Sequence, residues 1–298
     1  MKLTILGNNS ALPAYGRHPT AQILEVNQQY HLIDCGEGTQ MQLQLYGFSP
    51  FKIRCIYISH LHGDHYFGLV GLLSSLSLLG RTQELDLFGP PELKQIIDIQ
   101  ILWELGYPLN FHVLNFHEAV PIVDHKAVEV ISFPVKHSVP TCGFQFIERK
   151  RKRVLLPEKV RQFEVPKYFY TKLTEGADYI QTDGTIIPNE YLTLPGSTPR
   201  KYVYAADTLY DPELKQYFAH ADVLYHETTY LQADVVKAHL RMHSTTFEAA
   251  EMASISEAKQ LLIGHFSSKY KDLNLFLEEA QTIFANTSLS IEGRSFDI

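Results

Sequence analysis

Four potential metal ligands lie within six residues, in the run His60-Leu61-His62-Gly63-Asp64-His65. Imidazole and carboxylate groups bind zinc and its first-row neighbours. The run follows an apolar, β-branched stretch that predicts a strand. Because side chains two residues apart in an extended segment point the same way, His60 and His62 are predicted to bind one ion. Gly63 allows a tight turn that directs Asp64 and His65 toward a second ion.

A site with two ions needs more ligands than this run offers. Three further side chains of the ligand type follow apolar, strand-like runs: His137, Asp207 and His265. The ends of strands are positions where a sheet presents functional groups. A single histidine at a strand end is more often structural than a ligand. Three such positions, together with the first run, favour a metal site.

The elements that must position these residues are short strands alternating with amphipathic helices. Strands are predicted at Leu3–Leu6, Ala21–Val26, His31–Asp34, Ile53–Ser59, Leu85–Phe88, Phe111–Phe116, Val128–Phe133, Gly143–Glu148, Val203–Ala206, Val223–Tyr225 and Gln260–Ile263. Helices are predicted at Thr39–Leu45, Tyr66–Leu79, Pro91–Leu105, Thr245–Ile255 and Leu273–Ala285, because their apolar positions recur every three or four residues. Ser244 is a suitable N-cap for the fourth helix. The pattern predicts an α/β (α+β) fold with two sheets packed face to face and helices outside.

The stretch from about 148 to 199 differs from the rest of the chain. It is rich in charge, tyrosine and proline, and its periodicity is weak. We interpret it as an insertion within a single domain of residues 1–298; the alternative is an ordinary long surface excursion. Five consecutive basic residues, 149–153, lie at its start. They fit either phosphate binding or a solvated strand edge.

Composition excludes several classes of protein. The net charge of −7 argues against indiscriminate nucleic-acid binding. The three cysteines, Cys35, Cys55 and Cys142, cannot form a complete disulfide framework, which favours a reducing compartment. The most apolar stretch, 68–80, is interrupted by three serines and falls short of a membrane span. We therefore expect a cytoplasmic protein that does not bind membranes.

These motifs resemble the metallo-β-lactamase superfamily and, within it, the ribonuclease Z family of tRNA 3′-processing endoribonucleases. The metal-binding run alone is typical of the whole superfamily. The runs beginning at Asp34, His226 and His243 are more specific. The similarity extends nearly end to end and includes Leu32–Gln40, Ser59–His65, Gly68–Ser75, Gly80–Thr82, Asp207–Thr208, His226–Thr229, His243–Thr245 and Gly264–Tyr270.

The resemblance implies a four-layer αββα sandwich with a protruding arm insertion, a homodimer, and two Zn²⁺ ions per subunit, with Mn²⁺ or another divalent ion as the alternative. The first ion would be bound by His60, His62 and His137. The second would be bound by Asp64, His65 and His265, and Asp207 would bridge the two. Asp34 would orient ligands rather than bind metal. Two dications, two carboxylates and a hydroxide would leave a net charge of about +1, which attracts a phosphodiester.

The resemblance and the residue types together suggest roles in catalysis. His243 is the candidate general acid, oriented by Glu227, and the family resemblance assigns Asp64 a proton-accepting role toward the attacking water. The structural alternatives are a residue near a helix start for His243 and a polar strand end for Glu227. The implied reaction removes 3′ trailers from precursor tRNA, leaving a 3′-hydroxyl on the tRNA and a 5′-phosphate on the trailer.

Two departures from the family pattern concern the grip on RNA. The family's arm commonly carries a glycine-proline element, which is missing from the corresponding stretch near 165–176. Lys269 stands where the family often has arginine; it and Tyr270 fit either contact with RNA or a surface turn.

Two alternative functions remain open. One is a phosphodiesterase that acts on small or cyclic nucleotide diesters. The other is a non-catalytic RNA-binding protein that retains zinc for structure.

Overall fold

The computed structural model describes residues 1–149, 152–196 and 198–298. This part of the chain divides into two compact units. The first, which we call the main unit, is Met1–Ile147 with Arg200–Ile298, and the second, the insertion, is Glu148–Pro199. Lys150 and Arg151 of the basic run 149–153 lie outside the described residues.

Twenty strands and eleven α-helices occur in the described residues. The strands are β1 Lys2–Gly7, β2 Asn9–Ser10, β3 Ala21–Val26, β4 Gln29–Ile33, β5 Ile53–Tyr57, β6 Leu85–Gly89, β7 Leu109–Val113, β8 Val120–Asp124, β9 Val128–Val135, β10 Thr141–Glu148, β11 Val154–Leu155, β12 Tyr179–Ile180, β13 Ile186–Ile187, β14 Thr193–Leu194, β15 Lys201–Tyr204, β16 Val223–Glu227, β17 Leu261–Gly264, β18 Phe266–Ser267, β19 Thr287–Leu289 and β20 Ser295–Asp297. The helices are α1 Thr39–Leu45, α2 Gly63–Tyr66, α3 Leu69–Leu78, α4 Pro91–Gln100, α5 Pro157–Gln162, α6 Tyr170–Thr174, α7 Asn189–Leu192, α8 Lys215–Phe218, α9 Val235–Leu240, α10 Thr246–Ile255 and α11 Asn274–Gln281. None of these helices is both long and apolar enough to cross a bilayer.

Two seven-stranded sheets form the main unit. The first has the order β20-β1-β3-β4-β5-β6-β7, and its strands from β4 to β7 are parallel. The second has the order β19-β17-β16-β15-β10-β9-β8, and its strands from β15 to β19 are parallel. Parallel pairing aligns the carboxyl ends of neighbouring strands along one edge of each sheet.

Three apolar clusters hold the layers of the main unit together. One lies between the two sheets and contains side chains from β1, β3, β5, β10, β15 and β16. A second joins the first sheet to α1, α3 and α4, and the third joins the second sheet to α8, α10 and α11. The layer order is therefore helix, sheet, sheet, helix, which is the predicted α/β (α+β) sandwich.

Strand β15 illustrates how alternation along the sequence assigns faces. Tyr202 and Tyr204 belong to the cluster between the sheets, whereas Val203 belongs to the cluster under the outer helices. All three side chains are buried. A strand that is covered on both faces is apolar throughout because each side chain, whichever way it points, meets another layer.

Several predicted helix boundaries were wrong. The predicted helix Tyr66–Leu79 is α3, Leu69–Leu78, and Tyr66 instead ends a separate short helix, α2. The predicted helix Pro91–Leu105 ends at Gln100, after which the chain begins β7, parallel to β6. The N-cap of α10 is Thr245, which forms a capping box with Glu248. The hydroxyl of Ser244 instead donates to the Thr208 carbonyl oxygen, 2.7 Å away.

The insertion has a small core of its own. Five buried apolar side chains form it: Val160, Val165, Leu173, Ile187 and Leu192. Strand β11 pairs with β14, and β12 pairs with β13, in two-stranded antiparallel sheets. The side-chain amide of Asn189 donates to the carbonyls of Leu173 and Ala177, both at 2.8 Å, and ties α6 to the start of α7.

Candidate metal centre

The predicted ligands lie where strands of the two sheets end. His60 follows β5, His137 follows β9, Asp207 follows β15 and His265 follows β17, while Asp64 and His65 lie in helix α2 and His62 is its N-cap. In α/β sheets the carboxyl ends of parallel strands are the usual place for a functional site. The sheet topology thus brings together residues that are up to 205 positions apart.

The run 60–65 changes from extended to helical backbone at His62, the N-cap of α2. The ring nitrogens of His60 (Nε2) and His62 (Nδ1) lie 3.0 Å apart, so both rings face one point. Asp64 and His65 lie in the first turn of α2 and point to a different position. A Cβ on Gly63 would lie 2.2 Å from the ring of Phe67, an exposed side chain that would have to move aside.

The first group of donors consists of His60, His62, His137 and Asp207, whose donor atoms all lie within 4.8 Å of one another. His137 Nε2 is 3.1 Å from His62 Nδ1 and 3.9 Å from Asp207 Oδ2. His60 Nε2 is 3.7 Å from the same carboxylate oxygen. Donors around a tetrahedral zinc ion with bonds of about 2.0–2.1 Å are separated by about 3.3 Å, so these spacings fit one ion.

The second group consists of Asp64, His65 and His265. The Nε2 atoms of His65 and His265 lie 3.3 Å apart. Asp64 Oδ2 is 3.3 Å from His265 Nε2 and 3.7 Å from His65 Nε2. These separations also match the donor spacing of a small divalent ion.

One oxygen of Asp207 faces both groups. Its Oδ2 lies 3.3 Å from His65 Nε2 and 3.3 Å from His265 Nε2, in addition to its contacts with the first group. The side chain is buried. A carboxylate in this position can bridge two cations.

Hydrogen bonds to the second ring nitrogen orient the histidines. Asp34 Oδ2 lies 2.8 Å from His65 Nδ1, and the Met242 carbonyl oxygen lies 2.8 Å from His137 Nδ1. The Thr229 hydroxyl is 2.8 Å from His265 Nδ1. Each contact leaves Nε2 to face the centre, as is usual for histidines that bind metals.

Asp34 itself is held by several donors. The Ser59 amide and hydroxyl donate to it at 2.8 and 3.0 Å, and the Tyr204 hydroxyl donates at 2.6 Å. It is completely buried and faces His65 rather than the centre. It therefore orients a candidate ligand, as the sequence resemblance implied.

Left-handed backbone recurs at the residues that position the centre. Asp34 has φ 56°, Ala206 has φ 56° and His265 has φ 60°. Non-glycine residues rarely adopt this conformation, and such strain is concentrated at functional sites. At each of the three positions a strand has just ended. The turn at Asp34 aims its side chain at His65, and the turns at Ala206 and His265 place the side chains of Asp207 and His265 at the centre.

The pKa directions of the first group suit metal binding. Burial lowers the pKa of His60, His62 and His137, and neighbouring histidines lower the pKa of His60 and His62 further. Neutral imidazole is the form that coordinates a metal ion.

His65 behaves in the opposite way. Burial lowers its pKa, but the carboxylates of Asp207, Asp34 and Asp64 outweigh burial and raise it well above the ordinary value. For Asp207, burial raises the pKa, but His265 and His65 hold it well below its usual range. The second group is therefore a place where a positive charge, whether a proton or a metal ion, is strongly favoured.

His243 and Glu227 form a buried pair beside the donor groups. His243 Nδ1 lies 2.8 Å from Glu227 Oε1, and Glu227 is completely buried. Burial lowers the pKa of His243, but the charge of Glu227 and the hydrogen bond to it raise the pKa to about 9. The geometry leaves Nε2 of His243 free of this pair, and the raised pKa favours the protonated imidazole.

The centre opens into a cleft of about 320 Å³. Its lining includes Ser10, Ala11, His62, Gly63, Asp64, Phe67, Asp207, His243 and His265. Phe67 is 65% exposed and contributes an aromatic face. A larger cleft of about 510 Å³, beside Trp103 at the end of α4, is lined by none of the predicted site residues.

Three contributors escaped sequence analysis: Ser59, Thr229 and the main-chain carbonyl of Met242. A hydroxyl beside a candidate ligand, as in Ser59-His60, was the only available signal, because the other contacts join distant segments.

The motif residue Arg81 proves structural: its guanidinium donates to main-chain carbonyls, including those of Ile53 and Glu84 at 2.9 and 2.8 Å. Lys269 forms an ion pair with Asp234 at 2.6 Å.

Comparison with known proteins gives a consistent set of relatives. The chain is 39% identical to Ribonuclease Z of Bacteroides thetaiotaomicron, over 100% of this chain and 95% of that protein. It is 39% identical to Ribonuclease Z of Porphyromonas gingivalis, over 99% of this chain and 98% of that protein. Human tRNase Z, short form, superposes with a TM-score of 0.73 at 25% identity, covering 100% of this chain and 99% of that one. A family model described as Anti-Pycsar protein Apyc1 matches residues 1–119, a part that includes the run 60–65 but not His137, Asp207 or His265.

Proposed function

We infer that this chain, which belongs to the ribonuclease Z family, is a metal-dependent phosphodiester hydrolase that processes the 3′ ends of precursor tRNA. We further propose that it uses two zinc ions and cuts so that the tRNA keeps a 3′-hydroxyl and the trailer a 5′-phosphate. The observation that carries the proposal is the meeting of two donor groups at one oxygen of Asp207, beside a histidine paired with a buried carboxylate.

The donor groups define the ligand assignment that we propose. His60, His62 and His137 would hold the first ion, and Asp64, His65 and His265 the second, with Asp207 shared. Nitrogen and carboxylate donors at these separations suit zinc. Two zinc ions bound here would supply Lewis-acid chemistry at the scissile phosphodiester and a nucleophile at neutral pH. Mn²⁺ is the alternative, since its coordination chemistry overlaps with the same donors.

The remaining residues handle protons. Cleavage breaks the bond between phosphorus and the 3′-oxygen of the tRNA, so that oxygen needs a proton as it departs. We assign this step to Nε2 of His243. The hydrogen bond to Glu227 and the charge of that carboxylate favour the protonated form of His243. Asp64 is the proposed acceptor of the proton from the attacking water, the role that the family resemblance implies. The charges of His65 and His265 outweigh its burial and lower its pKa, which favours the ionised carboxylate that an acceptor needs.

Charge distribution supports a role for the insertion in holding RNA. Residues 148–199 contain nine basic and seven acidic side chains, whereas the rest of the chain contains seventeen basic and twenty-six acidic. Lys167 is exposed, and its neighbour Tyr168 is 80% exposed. Basic and aromatic side chains together bind the backbone and bases of RNA.

The basic run at the start of the insertion has a partly structural role. Arg153 Nε donates to the Thr193 hydroxyl at 2.6 Å, and Lys152 pairs with Glu175 at 2.8 Å. Lys167 and Lys172, in the segment that lacks the glycine-proline element, are therefore the better candidates for phosphate contacts.

We also propose that the protein is a homodimer that works in the cytoplasm, where precursor tRNA is made and trimmed. Large apolar side chains on α1 and at the end of α3, among them Met41, Leu45, Leu78 and Leu79, are each more than half exposed. The Gln40 amide donates to the Ser75 hydroxyl at 2.8 Å, so α1 and α3 are in contact. A second copy would cover them.

Light scattering tests the dimer. Leu78→Glu is expected to give monomer, whereas Leu240→Glu, at an equally exposed leucine on α9, should leave the mass unchanged. A wild-type protein that is monomeric at all concentrations would contradict the dimer.

The function itself is tested with purified protein and a precursor tRNA carrying a 3′ trailer. Metal content is measured by mass spectrometry, and both new ends are mapped for hydroxyl and phosphate. We expect two ions per chain and one cut at the 3′ end of the tRNA body. Metal-loaded protein that leaves the trailer intact would overturn the proposal. A strong preference for small nucleotide diesters over precursor tRNA would select the phosphodiesterase alternative instead.

A further inference from the structure

We propose that Asn9 and Arg17 are positioning residues that hold the Asp64 carboxylate, and with it the second metal position, in place. This inference takes one element from the proposed function, namely that the centre binds two metal ions. Neither residue belongs to the donor groups, and both lie in the segment between β1 and β3.

The contact with Asp64 comes from a main-chain amide. Ala11 N–H donates to Asp64 Oδ2 at 2.7 Å. This is the same oxygen that faces His265 Nε2 at 3.3 Å. Ala11 has φ 62°, a left-handed conformation that a residue with a Cβ avoids unless its surroundings impose it. Something must therefore hold the turn around Ala11.

The side chain of Asn9 holds this turn. It is completely buried, and its amide Nδ2 donates to the carbonyl of Leu12, on the far side of Ala11. Arg17 Nε donates to Asn9 Oδ1 at 2.8 Å, which fixes the orientation of the amide. Because Oδ1 of Asn9 accepts this hydrogen bond from Arg17, Nδ2 of Asn9 faces the turn.

Arg17 connects the turn to the segment that carries His265. Its Nη2 donates to the Tyr270 carbonyl at 2.7 Å. Asn9 also pairs in parallel with Phe266, the residue that follows His265. These contacts therefore connect two members of the second donor group, Asp64 and His265, through Asn9, Ala11 and Arg17.

Loss of the contacts made by Asn9 and Arg17 should selectively weaken binding of the second ion. The first group is held by other contacts, such as that between His137 Nδ1 and the Met242 carbonyl. Removing a hydrogen-bond partner of a metal ligand typically lowers metal affinity by about 10–100-fold. The expected effect is therefore a loss of that size at one of the two ions.

The experiment measures two stepwise zinc affinities by titration against a chelator, for wild type, Asn9→Ala and Arg17→Lys. Asn9→Ala removes the donor to the Leu12 carbonyl, and Arg17→Lys keeps the charge but loses the guanidinium contacts. The matched control is Asn189→Ala, since Asn189 is also a buried asparagine whose amide pins main chain, but it lies in the insertion. We expect one of the two affinities to fall about 10–100-fold in Asn9→Ala and less in Arg17→Lys while the other stays at the wild-type value, and neither affinity to change in the control.

The inference would be overturned if both zinc affinities fell equally. It would also be overturned if neither affinity changed in Asn9→Ala and Arg17→Lys. If Asn9→Ala does not fold, Arg17→Lys decides by the same criterion. Wild-type protein that binds fewer than two ions would overturn both this inference and the proposed function. Two bound ions without cleavage of precursor tRNA would overturn the proposed function alone.

Discussion

Glu227 shows how a single buried carboxylate can organise a proton donor. Five hydrogen-bond donors surround it: His243 Nδ1, the amides of Thr208, Thr229 and Ser244, and the Thr229 hydroxyl. Burial raises its pKa, but His243 outweighs burial and lowers it. A buried charge with its acceptor sites filled is tolerated where an unpaired one is not.

His243→Ala is expected to lower kcat on precursor tRNA by about 10²–10⁴-fold, because the departing 3′-oxygen loses its proton donor. Zinc content and KM should stay near the wild-type values. The measurement is single-turnover cleavage together with metal analysis. His239→Ala is the control, since the half-exposed His239 pairs with Glu248 in the same region and lies outside the donor groups. Unchanged cleavage in His243→Ala would remove this residue from the mechanism.

Glu227→Gln is expected to shift the alkaline limb of the pH–rate profile to lower pH. The proposed role requires the protonated form of His243, so activity is expected to fall as the pH rises through its pKa. The carboxylate of Glu227 raises that pKa, whereas burial lowers it. A neutral amide in place of the carboxylate leaves the effect of burial uncompensated, so the pKa of His243 falls. The check is kcat/KM against pH for both proteins. A limb that stays at the same pH would show that His243 is not the titrating acid.

At the scale of elements, the turn after β4 packs directly on the junction between α2 and α3. A Cβ on Gly68 would lie 2.2 Å from the Gly36 carbonyl oxygen, and one on Gly36 would lie 2.4 Å from the Asp64 carbonyl oxygen. This close approach joins the segment carrying Asp34 to the helix carrying Asp64 and His65. The two glycines of the family motifs are therefore required by packing.

Gly68→Ala should destabilise the protein by about 1–3 kcal/mol, because backbone must move to admit the methyl group. Gly71 lies one turn further along α3, where the nearest atom to a Cβ would be Gln40 Oε1 at 3.8 Å. Gly71→Ala should therefore stabilise the protein by up to about 1 kcal/mol through helix propensity. Urea denaturation measures both. A Gly68→Ala protein as stable as wild type would contradict the packing account.

At the scale of the whole molecule, charge is distributed unevenly along the chain. The insertion carries a small excess of basic residues, while the rest of the sequence carries the acidic excess that sets the net charge of −7. An acidic protein can still bind RNA when a basic segment supplies the phosphate contacts and cations occupy the catalytic centre.

Lys167→Ala is expected to raise KM for precursor tRNA and to reduce the slope of log affinity against log salt by about 1, since one phosphate contact is lost. Hydrolysis of a small diester such as bis(p-nitrophenyl) phosphate should not change. Lys94→Ala is the control, because Lys94 is exposed on α4 and pairs with Asp98. An unchanged salt slope would exclude Lys167 from the RNA contact.

The sequence by itself determined the local chemistry and most of the elements. The spacing of His60 and His62 predicted two rings that face one point, and the short β-type run Ala21–Val26 predicted the bounds of β3 to the residue. Such features depend on neighbours within a few positions, which the backbone geometry of a strand or helix fixes. Resemblance to a family supplied the grouping of ligands, which spacing alone left open.

Only the tertiary structure decided which distant groups meet. Asp34 reaches His65, Asp207 faces both donor groups, and the amide of Ala11 reaches Asp64 because the sheets align strand ends that are far apart in sequence. The break between α2 and α3 likewise follows from the close approach of Gly36 to Gly68, a contact 32 residues apart. Local periodicity carries no information about such contacts, since they arise from the packing of whole layers.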